Sequence, residues 1–237
     1  VAEDIMQNLH FDEKRIFRGD FSRPNLSYAV RHTEDKNGQL LRIAENVPGS
    51  GIVYVRTREA TEEIAAWLRQ EGITAAAYNG GLPHTERALR QEEWMNGKVR
   101  VMVATNAFGM GIDKADVRFV VHYTLCDSLE NYYQEAGRAG RDGARSYALL
   151  LVSPEDPDRV RRRFEADFPP LESVKDVYDK IGSYLRVEIG EGDRSSHTFN
   201  IHDFCAREHL YHGKVKSALE LLEQNGYMSL SDEMENP

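Results

Sequence analysis

A four-cysteine zinc module is out of reach for this chain, which has only two cysteines, Cys126 and Cys205, far apart and in no C-x-x-C. The same scarcity excludes a disulfide framework and makes a reducing compartment the default setting. No apolar run approaches the roughly 18 residues that a membrane-spanning helix needs. Val1-Ala-Glu-Asp-Ile-Met6 has neither the basic start nor the apolar stretch of a secretory leader. Missing too are G-x-x-x-x-G-K-[ST], the backbone cradle for a triphosphate, and any D-E-x-H. Asp12-Glu-Lys-Arg15 lacks the histidine and a preceding buried strand. The phosphate cradle and the magnesium-holding acid of ATP hydrolysis are therefore absent from these 237 residues. No segment repeats.

The chain does have enough apolar residue, 41% beside 29% charged, to offset ordering entropy and fold as an ordinary globular protein. Its length allows one large domain, or one medium and one small. Thirty basic and 39 acidic residues give a net charge of −9, and −6 of that falls after residue 170. Diffuse attraction to polyanions is therefore disfavoured, and any contact with nucleic acid has to use local basic groups.

Six β-rich runs, 25–30, 51–55, 74–78, 99–105, 118–123 and 146–152, alternate with helical stretches over 39–47, 59–70 and 85–95 and a short one ahead of residue 134. Several runs are continuously apolar rather than alternating, the pattern of central strands covered on both faces. The prediction is an α/β fold with a parallel sheet and helices on both faces. Ligands in such sheets bind at the carboxyl ends of strands, which singles out the loops after Val55, Tyr78, Thr105 and Tyr123. Ser153-Pro-Glu-Asp-Pro157 marks a boundary. Beyond it, helices are predicted over 158–168, 172–187, 201–210 and 214–225, with a short strand over 227–230. Helix, turn, helix, strand is the outline of a helix-turn-helix or partial winged-helix unit.

Two segments carry chemistry. Gln134-Glu-Ala-Gly-Arg-Ala-Gly-Arg-Asp-Gly143 sets Arg138 and Arg141 three apart among Gly137, Gly140 and Gly143. Planar, always-charged guanidiniums suit phosphate, and glycines let backbone approach a ligand closely. The plainer alternative is a surface arginine pair held by Glu135 and Asp142. In Val103-Ala-Thr-Asn-Ala-Phe-Gly-Met-Gly-Ile-Asp-Lys114, a buried strand ends at Thr105, whose hydroxyl and free amides can hold a phosphodiester. Gly109 and Gly111 permit an unusual path, and Asp113 can accept from a sugar hydroxyl or cap the next element.

With the run from Val103 to Tyr123 and the one from Tyr132 to Gly143, the chain resembles the RecQ family of superfamily-two DNA helicases and looks like their second RecA-like motor lobe. Phe21-Ser-Arg-Pro-Asn-Leu-Ser-Tyr-Ala-Val30, Gly51-Ile-Val-Tyr-Val55 and Ala77-Tyr-Asn-Gly-Gly-Leu82 fall in the family's order. A DEAD-box RNA helicase lobe would carry His where Gln134 stands. The resemblance implies three segments: 1–24 as the exit from a first lobe, 25–155 as the second lobe, and 156–237 as a helical, winged-helix-like region. It implies a C-terminal part of an ATP-dependent, 3′-to-5′ DNA helicase acting in recombination and repair, inactive without the lobe that holds ATP and Mg. By position, Arg141 matches the arginine reaching the γ-phosphate, Arg138 its partner, and Gln134 the glutamine near the phosphates. Asp113 matches a contact to ribose or a coupling residue, with Gly111, Gly137 and Gly140 beside the nucleotide. Thr105, Asn106, Asn79 and Gly80 match contacts to single-stranded DNA; the family usually has His at Asn79. Arg58 is a further DNA candidate, with helix capping by the Thr57-Arg58 pair as its alternative. Expected partners are single-stranded or junction DNA and the first lobe in cis, in a cytoplasmic, nucleoid-associated setting without a membrane. The alternatives are a non-catalytic binding module and an RNA helicase lobe.

The tail departs from the family, which often continues with a four-cysteine zinc module. His202, Cys205, His209 and His212 would lie along one helix face over about 15 Å, too spread for one tetrahedral ion. No metal is expected. The acidic tail suits a protein partner, and Arg159-Val-Arg-Arg-Arg163 reads equally as a solvated helix face or a grip on DNA phosphate.

Overall fold

The computed structural model describes residues 2–11, 16, 22–109, 112–187 and 195–231. They form two compact units, Val1–Ser153 and Pro154–Pro237.

The first unit opens with helix α1 (Ala2–Asn8) and is built on six strands: β1 (Leu26–His32), β2 (Ser50–Tyr54), β3 (Ala75–Tyr78), β4 (Val101–Ala104), β5 (Val117–His122) and β6 (Ser146–Val152). All pair in parallel, in the order β1-β6-β5-β2-β4-β3. Four helices connect them: α2 (Lys36–Asn46), α3 (Arg58–Gln70), α4 (His84–Met95) and α5 (Leu129–Ala136). The continuous apolar runs have a direct cause, since each strand feeds two cores. Val53, Val101, Val103, Phe119 and Val121 pack with Leu40, Ile64 and Leu68 on one face. Their sequence neighbours Ile52, Tyr54, Met102, Ala104 and Val120 pack with Trp94, Phe108 and Ala136 on the other. A strand with both faces covered has no polar side to alternate with.

Several helices start earlier than the sequence predicts, and two of these starts have a visible cause. The α2 start is set by the Asp35 side chain, which accepts from the Gly38 amide at 2.8 Å. In the second unit, α6 (Asp156–Asp167) begins ahead of Pro157. Proline fits a first helical turn, where the missing N–H has no partner to lose.

The second unit continues with α7 (Leu171–Leu185), α8 (Ile201–Glu208) and α9 (His212–Gln224). Its core joins Val174, Val177 and Ile181 to Phe204, Val215, Ala218 and Leu222. The strand predicted over 227–230 is not formed, and the described residues of this unit contain no strand. A lone strand has no ladder to join, and the Leu230 amide donates instead to Glu223 Oε1 at 2.7 Å. The winged-helix outline therefore reduces to its helical part. Nor do the four tail ligands share a helix. The α8 helix ends at Glu208, His209 takes a left-handed cap (φ 54°), and His212 returns to stack on His202 at 4.9 Å.

Candidate nucleotide and nucleic-acid site

Because β2 lies between β4 and β5, residues 105–116 must carry the chain from the carboxyl end of β4 across β2 to the amino end of β5. The arginine loop, residues 137–145 between α5 and β6, runs alongside this crossing segment. Two side chains join them. Arg138 turns inward, and its Nη1 donates to the Gly109 carbonyl at 2.6 Å. The approach is close enough that a Cβ at Gly109 would lie 2.3 Å from Arg138 Nη2. Among the described residues, the buried Arg138 Nε has no hydrogen-bond partner. Arg141 turns outward, donating to the Ile112 carbonyl at 3.1 Å and to Asp113 Oδ1 at 2.7 Å. The two segments that the sequence presents as separate signals thus form one bonded unit. Gln134 is exposed in the last turn of α5. Gly111 lies outside the described residues.

The carboxylates next to the arginines do not neutralise them. Glu135 Oε2 meets His122 Nε2 at 2.9 Å and accepts from Cys126 Sγ at 3.6 Å. Burial, then the nearby Glu135 carboxylate, push the Cys126 thiol up to about 12. Asp142 pairs with Arg118 at 2.5 Å, and that hydrogen bond holds its carboxyl below the usual range. Behind the crossing segment, the Tyr54 hydroxyl donates to the Phe108 carbonyl at 2.9 Å, and burial raises its pKa.

A second set of residues fixes the arginine loop from far upstream. Arg23 Nη1 donates to the Gly137 carbonyl at 3.3 Å, and its Nη2 to those of Ala139 and Gly140 at 2.8 Å each. Asn25 Nδ2 donates to the carbonyls of Gly140 at 2.7 Å and Ala144 at 3.0 Å. Gly140 has φ +64°, and a Cβ there would lie 2.6 Å from Asn25 Nδ2 and 2.7 Å from Ser146 Oγ. Sequence reading noticed the Ser-Arg-Pro-Asn segment without giving it a role. An arginine followed by one proline just ahead of a strand is its one visible signal, and nothing in the spacing points to a loop more than a hundred residues away.

The nucleic-acid candidates gather at the carboxyl ends of β2, β3 and β4. Thr105 is buried, its hydroxyl accepting from the Ala107 amide at 3.4 Å, while Asn106 is exposed. Gly80 is exposed, and a Cβ on it would come within 3.9 Å of Ala107. The Asn79 side chain is committed inward. It donates to Thr61 Oγ1 at 2.9 Å and accepts from the Gly81 amide at 3.0 Å, so it shapes the loop and leaves backbone to face outward. Thr57 caps α3, its hydroxyl accepting from the Ala60 amide at 3.1 Å. Arg58 extends over the same loop, its Nη1 2.9 Å from where a Gly81 Cβ would sit. The capping reading of the pair thus holds for Thr57.

Residues 35–143 match the family described as helicase conserved C-terminal domain. The first unit is a helicase C-terminal lobe. The chain is 42% identical over 159 residues to the ATP-dependent DNA helicase hus2/rqh1 of Schizosaccharomyces pombe, covering 66% of this chain and 12% of that protein. It is 43% identical over 157 residues to the ATP-dependent DNA helicase RecQ of Bacillus subtilis, covering 66% and 27%. With the ATP-dependent DNA helicase Q5 of Rattus norvegicus it shares 45% over 174 residues, covering 68% and 18%. The chain belongs to the RecQ family and carries a C-terminal portion of such a helicase, spanning well under a third of these relatives' lengths. Among solved structures, it resembles the E. coli DEAD-box protein SrmB bound to RraA (TM-score 0.52, 29% identity, 57% of this chain and 81% of that one). It also resembles a DEAD box protein from Methanococcus jannaschii (TM-score 0.51, 27% identity, 69% and 46%). These likenesses place the parallel sheet among helicase lobes of the RecA type. No described helix is long and apolar enough to cross a membrane.

Proposed function

We propose that this chain is the second motor lobe of an ATP-dependent DNA helicase, supplying the arginine finger and part of the DNA track to a nucleotide held by another lobe. The observation that carries this reading is the bonded junction of arginine loop and crossing segment. Arg141 and Arg138 grip the same stretch of backbone that begins at Thr105, so a nucleotide drawing on Arg141 pulls on the segment leading to the DNA side. Arg141 meets the terminal phosphate, Gln134 lies near it, and Asp113 exchanges its arginine for a sugar hydroxyl or for the coupling contact. Arg138 acts from inside, as the strut that keeps the loop in place. Thr105, Asn106, the backbone of Asn79 and Gly80, and Arg58 hold one strand through its phosphates.

The guanidiniums here suit anionic phosphate oxygens, and the one carboxylate bonded to them, Asp113, is engaged by Arg141 rather than set beside a second acid for Mg2+. The metal therefore belongs with the cradle on the other lobe, and this chain alone does not turn over ATP. DNA rather than RNA follows from Gln134 and from the named activity of the relatives.

The test is hydrolysis by the protein extended upstream by about 200 residues, roughly one further domain, with single-stranded DNA, with RNA and with neither. DNA-stimulated turnover that Arg141→Ala lowers by roughly 10³–10⁵ is the expected result. Turnover indifferent to Arg141 overturns the finger assignment, and absence of turnover moves the chain to a binding module.

A further inference from the structure

We infer that His122, Cys126 and Glu135 form a binding site for a single divalent cation of the zinc class. One imidazole nitrogen, one sulfur and one carboxylate oxygen lie within 4.8 Å of one another. Glu135 Oε2 is 2.9 Å from His122 Nε2 and 3.6 Å from Cys126 Sγ. Zinc bonds of 2.0–2.3 Å in a tetrahedron set ligand atoms about 3.3–3.8 Å apart, so closing on an ion needs shifts of only about 1 Å or less. The donor set selects the metal. A sulfur ligand disfavours Mg2+ and Ca2+, whereas Cys, His and carboxylate together suit zinc, with three protein ligands and one open position.

The site is also held ready. His122 is fully buried at the end of β5, its ring stacked on Tyr54 at 5.4 Å and set against Tyr132 at 4.7 Å. Glu135 comes from α5 with its side chain 13% exposed. Cys126, on the loop between, is half-buried and gives the ion its way in. Charge favours occupancy: the ion with one thiolate, one carboxylate and a neutral imidazole sums to zero, where the carboxylate alone leaves a buried negative charge. Binding releases the thiol proton to solvent and moves the imidazole proton from Nε2 to Nδ1, the ring atom without a partner among the described residues. An ion here ties the end of β5 to α5, next to Gln134 and three residues before Arg138, and stiffens the helix that feeds the arginine loop.

Chelator-stripped chain is reloaded with Zn2+ or Co2+, passed through gel filtration, and read by metal analysis and by the thiolate-to-cobalt absorption band. One ion per chain with that band is expected, with both lost in Cys126→Ser and in Glu135→Gln and both kept in Cys205→Ser. Circular dichroism checks that each variant is folded. A wild-type chain that emerges without metal overturns the site, as does metal kept by folded Cys126→Ser or lost only in Cys205→Ser. The readout is independent of ATP hydrolysis, so it stands or falls apart from the motor assignment.

Discussion

Arg141 is bonded to Asp113 at 2.7 Å in a pair whose carboxylate side chain is 84% exposed and whose arginine is 35% exposed. Such a pair contributes about 0–1 kcal/mol, because water screens the attraction and two side chains are ordered to make it. A phosphate, with more charge and several acceptor oxygens, outcompetes it readily. Arg138, three residues earlier, is the opposite case: it is anchored inside and cannot be lent to a ligand without dismantling the crossing segment.

Asp113→Asn should accordingly leave the unfolding free energy in urea within about 1 kcal/mol of wild type. In the protein extended upstream, it should lower DNA-stimulated hydrolysis more than the DNA-free rate, because the ion pair it weakens lies on the path between the two sites. Equal losses in both rates would show that Asp113 serves the nucleotide alone.

Arg138→Ala should behave differently. It removes a charged donor from the Gly109 carbonyl and leaves that acceptor unsatisfied, a loss of about 1.5–3 kcal/mol. Both tryptophans, Trp67 and Trp94, lie in the first unit, so their fluorescence follows its unfolding without interference from the second. Urea midpoints for Arg138→Ala and Arg141→Ala that coincide would contradict the division between strut and finger.

Gly140 and Gly143 both have positive φ, +64° and +81°, but only Gly140 is crowded. Gly143→Ala should cost about 1–2 kcal/mol, the left-handed penalty alone. Gly140→Ala adds contacts at 2.6–2.9 Å with Asn25, Ser146 and the Ala144 carbonyl, and should cost clearly more. Equal losses would mean that Asn25 gives way freely.

The sheet was legible because two-sided burial writes itself as unbroken apolar strands, and the arginine loop because three glycines around two arginines have few structural uses. Asp35 was not read as a cap, since its receiver, Gly38, looks like a break. Pro157 looks like part of the boundary ahead of the helix, although it sits in the first turn of α6. The strand expected at Tyr227 failed because local β propensity cannot supply a pairing partner. The carboxyl-end rule found Thr105 and Gly80 but not the arginine loop, which precedes β6 and meets the crossing segment through tertiary contacts. The partners of Glu135 and Asp142 were likewise invisible, because Cys126, His122 and Arg118 reach them only once β5 and α5 are side by side.

Asp142 carries a pH consequence. Its folded-state pKa is lowered by the hydrogen bond from Arg118, so it contributes stability above the unfolded carboxylate range that is lost as pH falls through the folded value. Asp142→Asn should therefore be less stable than wild type near neutral pH, and the gap should begin to close only as pH falls below about 4 and vanish below the lowered folded value. Thermal unfolding across pH 2–7 makes the comparison; parallel curves would show that the pair is idle.

Arg23 sets the position of the loop from which Arg141 projects. One guanidinium satisfies carbonyls on Gly137, Ala139 and Gly140, the backbone on either side of Arg138 and immediately before Arg141. With alanine in its place the loop loses three bonds and gains freedom at the point from which Arg141 projects. On the proposed role of Arg141, a displaced guanidinium costs transition-state stabilisation while ground-state nucleotide binding is kept. In the extended protein, Arg23→Ala should lower kcat at least about tenfold, roughly 1.4 kcal/mol of barrier, with the KM for ATP changed little. Arg23→Lys should recover only part of this, since one ammonium cannot span three carbonyls. Hydrogen exchange at the Gly140 amide, which donates to the Val117 carbonyl at 2.8 Å, should quicken in the alanine variant. A raised KM with unchanged kcat, or exchange as slow as in wild type, would remove Arg23 from the machinery and leave it as an ordinary brace.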